Sequence, residues 1–214
     1  MKFALYVNTA LLSLLLLASA CAQADGNSVD LALKQLLEGN KRYMEGKLLH
    51  PNRGFSRRFE TAPGQKPFAI VLGCADSRVS PEIIFDQGIG DIFTVRVAGN
   101  ALGPLELESI EFAILHFQSP IIVVLGHEGC SAVAAVVKGD TTDIESIAAF
   151  IEPAVKKIEG FPGNPLENAV KMNVELIVQQ LKNSQVISEA MKKHTISIAG
   201  GYYHLEDGHV EVLP

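Results

Sequence analysis

Cys74, Asp76, Arg78, His127 and Cys130 are the residues whose types and spacing could do chemistry. Two thiols and an imidazole suit Zn²⁺, which takes sulfur and ring nitrogen in a tetrahedron. Cys74 and Asp76 stand two apart in Cys74-Ala-Asp76-Ser-Arg78, so an extended turn sends both side chains to one side. His127 and Cys130 stand three apart in His127-Glu-Gly-Cys130, and a helix starting there puts them on one face. The two pairs can then converge on one ion. Alone each element is weak, because a lone buried cysteine is most often inert core. All four together are a restrictive set.

A site with three protein ligands and an exchangeable fourth position is catalytic in type, whereas a closed site is structural. Asp76 decides between them. As a fourth ligand it closes the site; turned away, it leaves room for water. Arg78 is the residue that can hold it away, through a two-pronged guanidinium–carboxylate pair. The competing reading is a disulfide between Cys74 and Cys130, which an oxidising compartment would favour. Asp76, Arg78 and His127 would have no reason to flank a plain staple.

Two matched strand-ends must deliver these groups. Phe68-Ala-Ile-Val-Leu-Gly73 runs into the first pair and Ile121-Ile-Val-Val-Leu-Gly126 into the second. Each is a continuous apolar run of the kind buried on both faces of a parallel sheet. A third strand is read at 91–97, and a hairpin of 195–204 with 209–213 ends the chain, turning at Asp207-Gly208. Between them the spacing predicts a helix over 29–46 with Leu31, Leu33, Leu36, Leu37, Tyr43 and Met44 on its apolar side. A helix from Pro104 turns Leu105, Ile110, Ala113, Ile114 and Phe117 inward. Others are read from His127 to Lys138, from a capping box at Thr142–Glu145 to about Glu159, from Asn164 to about Asn183, and near 187–193. Strands alternating with helices give an α/β fold with a largely parallel central sheet flanked by helices. Residues 47–66, with two prolines, two glycines and three arginines, read as an extended arm following the N-terminal helix.

The N-terminus reads differently. Lys2, an apolar run from Phe3 to Leu17, and Ala18-Ser19-Ala20 form a secretory signal pattern over 1–20. That implies export, most simply to a periplasm. Cys21 directly follows and is a candidate lipidation site, which would anchor the protein to a membrane. Residues 21–28 are a polar tether, and 29–214 make a single domain, in keeping with 214 residues and 48% hydrophobic content. A net charge of −6 with no basic stripe argues against a nucleic-acid partner.

The stretch Gly73-Cys-Ala-Asp-Ser-Arg-Val79, then Val95-Arg-Val-Ala-Gly-Asn100, then Gly126-His-Glu-Gly-Cys130, resembles a β-class carbonic anhydrase. The similarity runs over about 29–214. It implies zinc on Cys74, His127 and Cys130, a catalytic dyad of Asp76 and Arg78, and a substrate pocket drawn from Gln65, Phe93, Ala98, Gly99 and Phe112. Gln65 would serve a partner subunit's pocket, and the arm with it implies a homodimer or tetramer. Ser131, where the family usually has Gly, and Phe112, where many members have Tyr, depart from the pattern.

The implied reaction is hydration of CO2 to bicarbonate and a proton through zinc-bound hydroxide. Two thiolates cancel the charge of the ion, so the bound water should ionise somewhat above the roughly 7 of a three-histidine site. Two alternatives stand beside it: hydrolysis of CS2 or COS on the same site, and a non-catalytic exported zinc-binding protein.

Overall fold

The computed structural model describes residues 28–214. The signal pattern, Cys21 and the tether up to residue 27 lie outside the described residues. Helix α1 is followed from residue 28 to 44 and α2 spans Phe55–Thr61. Then come β1 (Ala69–Cys74), α3 (Pro81–Ile84), β2 (Ile92–Val97), a 3₁₀ turn at Ala98–Asn100 and α4 (Pro104–Phe117). The chain continues through β3 (Ile121–His127), α5 (Ser131–Lys138), α6 (Glu145–Lys157), α7 (Pro165–Asn183), α8 (Gln185–Lys192), β4 (Ser197–Tyr203) and β5 (Val210–Leu213).

The five strands form one sheet in the order β2-β1-β3-β4-β5. All neighbours run parallel except the last pair, β4 with β5. In β1 and β3 every residue is buried, and the period of two divides them between faces. Ile70, Leu72, Ile122 and Val124 pack under Ile110 and Ile114 of α4, Ile177 and Leu181 of α7, and Ile187 of α8. Ala69, Val71, Ile121, Val123 and Leu125 pack on the other face against Leu36 of α1 and Ile84 of α3. Each such fully buried aliphatic side chain contributes on the order of 2 kcal/mol. A third apolar cluster, with Val133, Ile151 and Val170, closes α5, α6 and α7 over the carboxyl ends of the strands.

Local chemistry explains where the elements start. Pro104 and Pro165 open α4 and α7 at the first helical turn. Asn164 caps α7, its side-chain oxygen accepting from the amides of Leu166 and Glu167. The capping box expected at Thr142–Glu145 does not form: α6 begins at Glu145, behind Ile144 with no side-chain cap. Leu105 is a second correction. It is 75% exposed, because at the start of α4 it points away from the sheet that Ile110, Ala113 and Ile114 cover. Leu31 and Met44 of α1 are likewise exposed, and Leu36 is its buried anchor.

The arm is not uniformly extended. It contains α2, none of whose residues is buried, and polar groups tie it down. Asp86, fully buried, accepts from Arg42 Nε at 2.7 Å and from the amides of Leu49 and His50. Asp91 accepts from Asn52 and Arg57. Asn40 fastens α1 to α3 and to the turn into β5, donating to the carbonyls of Ile84 and Gly208 and accepting from the Val210 amide.

Candidate metal centre

β1 and β3 are adjacent and parallel, so Cys74 and His127, the last residue of each, emerge side by side. This is the crevice beyond strand carboxyl ends where α/β sheets bind ligands. The helix expected from His127 starts later than the spacing predicts. His127 belongs to the strand, Glu128 and Gly129 turn, and Cys130 is the residue before α5. Gly129 has φ +61°, a left-handed turn that glycine accepts without strain. His127 and Cys130 therefore converge by a tight turn rather than by a shared helix face.

The result is a compact donor set. One ligating atom from each of Cys74, His127 and Cys130 lies within 4.8 Å of the others, and all three residues are buried. The two sulfurs are 4.0 Å apart. A disulfide needs about 2.05 Å, and both cysteines are free. His127 Nδ1 lies 2.8 Å from the Glu128 carbonyl, which holds the ring proton on Nδ1 and leaves a lone pair on Nε2. That Nε2 is buried with no hydrogen-bond partner among the described residues. An orphaned buried nitrogen beside two sulfurs fits a thiophilic dication.

The thiols share this setting unequally. Cys74 is pushed down to about 4, chiefly by the hydrogen bond from Cys130, with help from His127 and the amides of Asp76 and Gly99, against the cost of burial. Cys130 is pushed up, by the Cys74 sulfur beside it and by burial.

Asp76 stands at the edge of the set, its Oδ2 4.0 Å from His127 Nε2. Arg78 holds it by Nε to Oδ1 at 3.0 Å and Nη2 to Oδ2 at 2.7 Å, and the Arg78 amide donates to Oδ1 at 2.9 Å. The Arg78 side chain holds the Asp76 carboxyl well below the usual range despite partial burial, and the Arg78 amide and His127 add to the effect.

Arg96 was missed by the sequence reading. It donates to the carbonyl of Cys74 at 2.9 Å and of Asp76 at 2.7 Å, bracing the segment that carries ligand and dyad. Gly99, expected in the substrate pocket, donates its amide to Cys74 Sγ at 3.2 Å, and Ala98 precedes it in the 3₁₀ turn. The other expected pocket residues are not brought to this centre. Gln65 is exposed. Phe93 pairs with Ile70 near the start of its strand, four residues, or roughly 13 Å, before the level of Cys74. Phe112 is 49% exposed and meets Phe93 through Phe117, with ring centroids 5.6 and 5.8 Å apart. The groove of about 510 Å³ between α7 and the β4–β5 edge involves none of the expected site residues.

A family model described as carbonic anhydrase matches residues 69–210. The carbonic anhydrase of Mycolicibacterium smegmatis is 38% identical over 191 residues, covering 85% of this chain and 91% of the relative. Among solved structures, the β-carbonic anhydrase CcaA superposes with TM-score 0.69 at 23% identity, covering 85% of this chain and 95% of that one. A chain from the structures of two tetrameric β-carbonic anhydrases of Sordaria macrospora gives TM-score 0.65 at 21% identity, with 74% of this chain and 89% of that one covered. With a matched family model, a close relative aligned over most of both lengths, and the β-class fold around the cysteine–histidine cluster, the chain belongs to the β-class carbonic anhydrases.

Proposed function

We propose that the protein hydrates CO2 reversibly to bicarbonate and a proton at one zinc ion held by Cys74, His127 and Cys130. The observation that carries this reading is the placement of Asp76: beside the donor set, yet taken by Arg78 from two guanidinium atoms and an amide. Zinc in such a site lowers the pKa of a water molecule it binds, so that a hydroxide equivalent is available near neutral pH. The protein's residues do the rest. Asp76, kept ionised, accepts the water's hydrogen bond and turns its lone pair toward the carbon of CO2. Arg78 keeps that carboxylate from closing the fourth position. The proton leaves to solvent.

CO2 carries no charge to grip, so its receptor must be small and apolar with a single polar contact. Gln65, Phe93 and Phe112 are of those types and lie away from this protomer's own cluster. Their placement, the arm and the tetrameric fold neighbours support a homo-oligomer in which these residues serve a second copy's centre. The signal pattern at residues 1–20 supports export, with Cys21 the position for a lipid anchor. Stopped-flow CO2 hydration with zinc content measured on the same samples, beside CS2 turnover, tests the reading. Hydration that scales with bound zinc is expected; full zinc without hydration from pH 6 to 9 would instead mark a binding protein, and faster CS2 turnover a sulfur-substrate hydrolase.

A further inference from the structure

α7 presents seven buried residues to the domain, and six of them are apolar: Ala169, Val170, Val174, Ile177, Val178 and Leu181. The seventh is Asn173, 2% exposed. A buried amide in an apolar stripe is costly unless it is hydrogen-bonded. Its Nδ2 donates to the Gly99 carbonyl at 3.0 Å, and the Gly99 amide donates to Cys74 Sγ at 3.2 Å. Gly99 has φ +65°, and a Cβ there would meet Ile151 Cδ1 at 2.6 Å. Only glycine fits, yet glycine is the residue least able to hold one conformation by itself. The same turn of α7 bears on the other strand-end: a Cβ on Gly126, the residue before His127, would meet Val174 at 2.7 Å and Val170 at 2.8 Å.

We infer that Asn173 is a positioning residue for the metal centre, locking Gly99 so that its N–H stays aimed at the Cys74 sulfur. An N–H directed at a ligating thiolate withdraws electron density from it, so the sulfur donates less to the ion and the ion stays a stronger Lewis acid. Partners behind the ligands tune metal affinity and activity in this way. Asn173 touches neither metal nor substrate and acts through a backbone loop 74 residues earlier in the chain.

The inference rests on the metal site proposed above, and the test separates the two. Wild type, Asn173→Leu (similar volume, no donor) and Asn173→Ala (room for a water) are each loaded with Co²⁺ and with Zn²⁺. A wild type that takes up neither ion contradicts the site itself, and the inference with it. With a wild type that binds, the folded variants should show the sulfur-to-cobalt charge-transfer band at lower energy. Because Cys74 is then no longer held in place and its thiolate loses a donor, zinc affinity in chelator competition should fall about tenfold or more, and kcat should fall while KM for CO2 holds. An unchanged band and unchanged zinc affinity in a variant that has merely lost thermal stability would overturn the inference. Should neither variant fold, ¹¹³Cd-substituted wild type decides. Scalar coupling of cadmium to the Gly99 amide proton, with slow exchange of the Asn173 side-chain amide, supports the inference; a Gly99 amide without coupling overturns it.

Discussion

Arg78 Nη2 lies 2.7 Å from Asp76 Oδ2, and that same oxygen lies 4.0 Å from His127 Nε2. One carboxylate oxygen therefore faces both the guanidinium that restrains it and the nitrogen that would bind metal. Asp76→Asn keeps the shape and removes the charge. It should retain stoichiometric zinc while CO2 hydration falls by about 10²-fold or more, the scale of a lost proton-transfer group. Metal analysis and stopped-flow rates on one preparation check both halves.

Arg78→Lys tests the restraint from the other side. A lysine offers one ammonium where the guanidinium makes two aligned bonds. Asp76 would then be free to turn toward the metal and close the fourth position. The expected outcome is a rate lowered by at least tenfold with zinc retained, and a cobalt-substituted spectrum showing an added oxygen ligand. A spectrum like wild type would mean that the turn alone holds Asp76.

The arm supplies a pH dependence independent of the metal. Burial pushes the Asp86 carboxyl up, but Arg42 and the amides of Leu49 and His50 outweigh it and hold the pKa below the ordinary value. A lowered folded pKa contributes stability that is fully present above the unfolded value of about 4 and is lost as pH falls through the folded value. Asp86→Asn should therefore cost about 2 kcal/mol at neutral pH, the scale of hydrogen bonds to a charged group. The gap from wild type should narrow below pH 4. Urea unfolding across pH 2–7, with metal removed from both proteins, measures it.

Gly39 sets how closely α1 approaches the C-terminal end of α3. A Cβ there would fall within van der Waals exclusion of the Phe85 carbonyl, and backbone cannot step aside as a side chain can. Gly39→Ala should destabilise by about 1–3 kcal/mol despite alanine's better helix propensity. A thermal melt showing stabilisation would contradict this packing.

The sheet was legible because β1 and β3 are apolar on both faces, a pattern that few other settings tolerate. The donor set was legible because two matched strand-ends each run into metal-binding residue types, Cys74 with Asp76 and His127 with Cys130. The start of α5 was misjudged for a physical reason: Glu128-Gly129 is compatible with a helix by spacing, and only Gly129's left-handed φ shows that the chain turns first. Arg96 and Asn173 act through backbone carbonyls, which leave no pattern in side-chain types. Gln65, Phe93 and Phe112 were legible only through family resemblance, since no contact among the described residues joins them to the cluster.

Zinc-edge X-ray absorption on the active enzyme addresses the central claim most directly. The account predicts one zinc per chain with two sulfur ligands at about 2.3 Å and two lighter ligands, one imidazole and one exchangeable oxygen. A chain that hydrates CO2 at full rate with Cys74 and Cys130 bridged, or with a different sulfur count at zinc, would contradict it.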